Sequence, residues 1–137
     1  MAKRTRNIKD ALLSKAIALP IAANTVNTNY IDLGATQPYP VTQDFEVKLT
    51  VDTATGANSK NVNAVIQHSA ESNANFTNIA GLGAPILVAA GNAANVIGSN
   101  VIVQLPPSTK RYIRGSALGE ANGGNAADGN LTVELLF

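Results

Sequence analysis

The clearest signal along the chain is a period of two. Residues 44–51 place Phe45, Val47, Leu49 and Val51 on one side and Glu46, Lys48 and Thr50 on the other. One apolar side at that period predicts a half-buried antiparallel strand. Residues 62–69 repeat the pattern, with Ala64, Ile66 and His68 on one face and Val65, Gln67 and Ser69 on the other. Shorter apolar runs follow at 76–80, 85–89, 100–105, 110–116 and 131–135, and an earlier one lies at 30–33. Between them stand Gly34, Pro38, Pro40, Gly56, Gly81, Gly83, Gly91, Gly98, Pro106–Pro107 and a Gly/Asn/Ala stretch over 119–129. Apolar runs separated by turn residues at this spacing predict an all-β fold, a single jelly-roll-like antiparallel β-sandwich of about eight strands. Its expected core is Phe45, Val47, Leu49, Ile66, Ile113, Leu131, Val133 and Leu135.

The first residues read differently. From Asn7 to Ala18 the residues Ile8, Ala11, Leu12 and Lys15 share a helical face, and Pro20 ends the run. The expectation is an extended or partly helical arm over 1–23, with the sandwich over 24–137. The arm has the basic head of a signal peptide, but Asp10, Lys15 and Pro20 interrupt its apolar part, so no targeting role is expected.

Length and charge sharpen this picture. A chain of 137 residues suffices for one domain with one core. Only 14% of it is charged, against about 25% in ordinary soluble domains. The surface must therefore be built from Asn, Thr, Ser, Gln, Gly and Ala, which are easily desolvated and suit packing against other subunits. Residues 72–109 contain no charge at all, yet Asn73, Asn75, Asn78, Asn92, Asn95 and Asn100 break the run before it could span a membrane. This uncharged region is the expected contact in a homo-oligomer, with a dimer favoured and a trimer possible. Within residues 1–15 Lys3, Arg4, Arg6, Lys9 and Lys15 oppose only Asp10, a net +4, which leaves −3 on the rest. A basic head on a slightly acidic body points to an anionic partner, nucleic acid or an acidic protein surface. Leu12, Leu13, Ile17 and Leu19 are expected to seat the arm on apolar surface of another copy or of a larger assembly.

The residues of catalysis are scarce. The chain has no cysteine and one histidine, His68, flanked by Gln67 and Ser69. That excludes disulfides, thiol chemistry and a His/Cys zinc site, and leaves a nucleophile–base pair without an orienting motif. Asp44 and Glu46 read as solvated strand charges, and the glycine pairs lack the Lys-Ser/Thr ending of a phosphate loop. No enzyme activity, cofactor or metal is expected.

One cluster stands out, 105–114, where Lys110, Arg111 and Arg114 surround Tyr112 behind Pro106–Pro107. On a strand Lys110, Tyr112 and Arg114 would face one way and Arg111 and Ile113 the other. A tyrosine among cations can stack a base and hold phosphate. The pattern also suits an edge strand guarded by charge, or a protein contact, and these are preferred over direct nucleic-acid binding.

The chain resembles the Bbp16-type phage capsid cement proteins. The resemblance runs over about residues 24–136 and rests on Tyr30-Ile31-Asp32-Leu33-Gly34, on Gln67-His68-Ser69 with Phe76, and on Leu105-Pro106-Pro107 with Lys110-Arg111-Tyr112-Ile113-Arg114, closed by Gly129 and 131–135. It implies a jelly-roll sandwich on the outer capsid surface of a virion, joining capsomers with the major capsid protein as partner and no membrane. The expected capsid or subunit contacts are Lys3, Arg4, Arg6, Leu12, Leu13, Ile17, Lys110, Arg111 and Arg114. The basic head lies outside the resemblance. The competing reading is a carbohydrate- or receptor-binding module of a phage fibre, against which count the absence of Trp and the presence of only three Tyr.

Overall fold

The computed structural model describes residues 14–21, 23–33, 46–55, 61–89, 91–92, 95–106, 108–120 and 126–136. They form thirteen strands and no helix. In chain order these are β1 (Ser14–Ala18), β2 (Thr25–Asn27), β3 (Ile31–Asp32), β4 (Glu46–Val51), β5 (Ala54–Thr55), β6 (Val62–Ser69), β7 (Thr77–Asn78), β8 (Leu87–Ala89), β9 (Gly91–Asn92), β10 (Asn95–Val96), β11 (Ser99–Gln104), β12 (Tyr112–Gly119) and β13 (Asn130–Leu136). One sheet has the order β1-β13-β4-β11. In the other, β12 pairs with β6 on one side and with β2 and β3 on the other, while β7 and β8 extend it beyond β6. All these pairings are antiparallel. A small sheet β5-β10-β9 completes the set.

The two large sheets pack face to face as a jelly-roll-like β-sandwich. Val47, Leu49 and Val51 of β4, with Leu131, Val133 and Leu135 of β13, meet Ala64 and Ile66 of β6 and Ile113 and Ala117 of β12. All are buried, as expected of the inward members of alternating strands. Of the expected core, Phe45 lies outside the described residues and the other seven are in place. Leu19, Ile31, Val62, Ile79, Leu87, Ala89 and Leu105 join them.

Gly115 of β12 lies close against the opposite sheet. A Cβ there would stand 3.2 Å from Leu131 Cδ2 and 3.4 Å from Leu49 Cδ1. In Gly115→Ala the two closest neighbours are leucine tips that can turn aside, and Val133 Cβ at 3.5 Å is in ordinary contact. Gly115→Val adds γ-carbons with nowhere to go and is expected to cost about 1–3 kcal/mol by overpacking, read as a lower midpoint in urea with an unchanged slope.

Of the extended and helical alternatives for the arm, residues 14–18 take the extended one, as a strand in which Ser14 pairs with Glu134 and Ala18 with Asn130. Leu19 is 2% exposed, and its N–H donates to the Gly129 carbonyl at 2.9 Å. The sandwich therefore takes in residues assigned by sequence to the arm. A helix of that length is too weak to compete with a ready-made strand partner and a place in the core. Lys15 occupies an inward register position beside Val133, which discourages further pairing at this sheet edge.

Candidate functional site

The 110–114 cluster lies on the outer face of the β12 sheet, but β12 is not an edge strand. Its residues 112–119 pair with β6 throughout, and β2 and β3 cover its other side. With its backbone taken up on both flanks, its charged residues are not guarding a free edge. Arg111 also departs from expectation. It precedes the strand, so strand alternation does not send it inward with Ile113. Its guanidinium instead donates to both carboxylate oxygens of Asp32, at 2.8 and 2.9 Å, and lies 5.1 Å from the Tyr112 ring centre. The half-exposed pair fixes the side chain more than it stabilises the fold.

Tyr112 meets Tyr30 edge to face at 5.2 Å. Arg114, two residues on, covers the Phe76 ring at 4.3 Å, and its Nε donates to Gln67 Oε1 at 2.9 Å. Gln67 in turn donates to Asn78 Oδ1. Burial pulls the Arg114 pKa down from its ordinary value.

Arg114 lines a groove of about 250 Å³ with Asn27, Thr28, Asn29, Tyr30, Ser72, Asn73 and Phe76. Both walls are tied to the sheet. On one side the Thr28 N–H donates to the Gly115 carbonyl, the Gly115 N–H donates to Thr28 Oγ1, and the Thr28 hydroxyl donates to the Asn29 carbonyl. On the other side Ser69 Oγ donates to the Ala74 carbonyl and accepts from the Glu71 N–H. Asn75 turns the chain with φ of 60° and donates to Glu71 Oε1. Left-handed backbone of this kind suits asparagine better than most residues.

His68 lies on the core-facing side of β6 with Ala64 and Ile66. It is 8% exposed, and its Nδ1 accepts the Lys110 N–H at 3.1 Å. Burial, and then the Lys110 charge, lowers its pKa from the ordinary 6.5. The folded protein thus prefers neutral imidazole, while the unfolded chain takes up a proton near 6.5. Stability from this group is present above that pH and is lost as pH falls below it. Melts from pH 7.5 to 5 are expected to show a fall in stability from this source. His68→Gln keeps an acceptor without titrating and should remove that component.

Of the residues expected to make contacts, Lys3, Arg4, Arg6, Leu12 and Leu13 lie outside the described residues. Ile17 is partly buried and packs against the chain's own core. Lys110 is exposed. The groove residues 27–30 and 72–76 converge with Arg114 from three separate segments. Among the described residues no cluster of His, Asp or Glu is placed to hold a metal ion, and no helix is long and apolar enough to cross a membrane.

Residues 13–135 match the model of the Bbp16 family. The chain belongs to that family. The Bbp16 family is phage-associated, and the match takes in all of the described sandwich except Leu136, β1 included. No curated sequence matches the chain. Among solved structures it is similar to the PBSX exported protein XepA, with TM-score 0.49 and 16% identity over 96% of this chain and 37% of that one. It is also similar to the K3 cleaved adhesin domain of Lys-gingipain from Porphyromonas gingivalis, with TM-score 0.46 and 15% identity over 90% of this chain and 73% of that one. A third is a chain of infectious bursal disease virus, strain Gx, with TM-score 0.42 and 14% identity over 94% of this chain and 30% of that one. The Bbp16-family chain thus spans well under half the length of the first and third.

Proposed function

We propose that this chain is a non-enzymatic structural protein of a phage particle, which binds the outside of the capsid shell and cements neighbouring capsomers. Membership of a phage-associated family supports the setting. The observation that carries the role is the distribution of the uncharged segment. Residues 72–109 supply β7 and β8 at one edge of the β12 sheet and β11 at the edge of the other large sheet. One flank of the sandwich is therefore made without charge. It carries Val88, Ile97 and Ile102 at 46–51% exposure. Desolvating such a surface costs little, and its apolar side chains gain on burial.

The partners in this reading are the major capsid protein and a second copy of the chain, a dimer before a trimer. The test is co-sedimentation of the purified protein with empty capsid shells. Saturable binding that raises the temperature of shell disruption is expected. Ile102→Glu with Val88→Glu should weaken it without changing the circular dichroism spectrum. Failure to bind shells, with a monomer in light scattering, would end the proposal. A receptor-binding role on a fibre is the second reading, favoured by the groove around Arg114.

A further inference from the structure

The groove has a composition that capsid attachment does not call for. Arg114 is the one charged side chain among its lining residues, and no carboxylate lines it. The guanidinium is held over the Phe76 ring and fixed through Nε to Gln67. Its two terminal nitrogens keep the donor geometry that matches a carboxylate in two parallel hydrogen bonds. Asn27, Asn29, Asn73 and Ser72 line the groove beside it. A carboxamide offers donors and an acceptor side by side, which complements adjacent hydroxyl groups, themselves both donors and acceptors. Tyr30 adds an aromatic surface, 38% exposed and braced edge-on by Tyr112.

We propose that this groove binds a single carboxylate-bearing sugar residue, of the uronic or sialic type. Arg114 takes the carboxylate, Asn27, Asn29 and Asn73 take the hydroxyls, and Tyr30 flanks an apolar ring face. The volume of about 250 Å³ falls below the ~300–1,000 Å³ of drug-sized sites, so the groove admits one residue at the end of a glycan and not a stretch of chain. An acidic peptide side chain would satisfy Arg114 but leave the carboxamides without partners. Because both walls are already bonded to β12 and β6, little order has to be imposed on binding, which favours a weak ligand. The inference goes beyond the cement reading and does not depend on it. The groove shares Ser72, Asn73 and Phe76 with the uncharged segment, but the exposed Val88, Ile97 and Ile102 of the flank do not line it, so substitutions at Arg114 and at Val88 with Ile102 test the two activities separately.

The experiment is a titration of the full chain, followed by amide NMR shifts. The probes are glucuronate, N-acetylneuraminate, glucose, acetate and a glutamate-containing tripeptide. The acidic sugars are expected to give saturable shifts centred on residues 27–30, 72–76 and 114, with glucose and acetate weaker by about tenfold or more. Arg114→Gln should bring the acidic sugars down to the level of glucose. Asn73→Ala, on the loop and away from the sheet, should weaken acidic sugars and glucose alike; the dispersed spectrum reports that each variant is folded. Equal response to acetate would make the groove a simple anion site. Tighter binding of the tripeptide would make it a protein contact. Either result, or no saturable shift with any sugar, overturns the proposal.

Discussion

Leu49→Ala is expected to lower the free energy of unfolding by about 2–5 kcal/mol. Leu49 is completely buried, on a strand paired on one side with β11 and on the other with β13. Its Cδ1 lies against the backbone of Gly115 in the opposite sheet. The site is therefore walled by three strands whose backbones are bonded in place, and little can move in to fill the lost volume. That places the expected cost in the upper half of the range. Urea unfolding followed by circular dichroism measures it. A loss below about half a kcal/mol, typical of surface positions, would mean that β4 presents its other face to the core.

That prediction rests on a strand that was legible from residue order alone. β4 and β6 alternate cleanly because each has one face on the core and one exposed to solvent, and nothing else competes for their residues. β6 matches the sequence expectation of 62–69 at both ends. Other elements left weaker traces. β1 carries Lys15 at an inward position, which breaks the apolar alternation, so its strand character comes from β13 and not from its own residues. β2 is the three residues Thr25–Asn27 within an Asn/Thr run that reads as loop. β12 was recognised as a strand, but its place at the centre of a sheet was not. Its outward Tyr112 and Arg114 look like edge guards until the neighbours on both sides are known. The groove was the least legible feature. Arg114 and Tyr30 stood out in the sequence, but Asn27, Asn29 and Asn73 are ordinary members of an Asn-rich chain. What distinguishes them is the convergence of three segments, which only the register of β2, β6 and β12 creates.

Two truncations separate the basic head from β1. Removing residues 2–13 leaves every pairing of β1 intact, and the melting temperature is expected to change little. If the Lys3, Arg4 and Arg6 charges help to hold the protein on a capsid, this variant should still fold but bind shells less tightly, with the difference shrinking as salt is raised. Removing residues 2–19 is expected to be far more damaging. It strips β1 from β13, removes the packing of Ile17 and takes away Leu19, which is 2% exposed. The loss of a buried leucine alone predicts about 2–5 kcal/mol. β13 would then become a sheet edge with unpaired backbone groups, open to pairing with another chain. Thermal melts and light scattering together test this: a sharp fall in melting temperature with concentration-dependent aggregation is expected. Equal melting of the two truncated forms would mean that β1 contributes nothing to the sandwich.

The β1–β13 pairing also sets a timetable for the nascent chain. Ser14 has Glu134 as its partner and Ala18 has Asn130. Nearly the whole domain must therefore be synthesised between the two halves of this ladder. β4 likewise waits for both of its neighbours, β11 and β13, to be made. During translation this sheet has no early hairpin to nucleate on, and its first strand must remain unpaired until β13 has left the ribosome. Closing such distant contacts costs entropy before any contact repays it, so folding is expected on the millisecond-to-second scale of other β-sandwiches. For that interval the apolar residues of β4 are exposed to neighbouring chains. Production at low temperature or with chaperone support should raise the soluble yield, even though the finished sandwich needs neither.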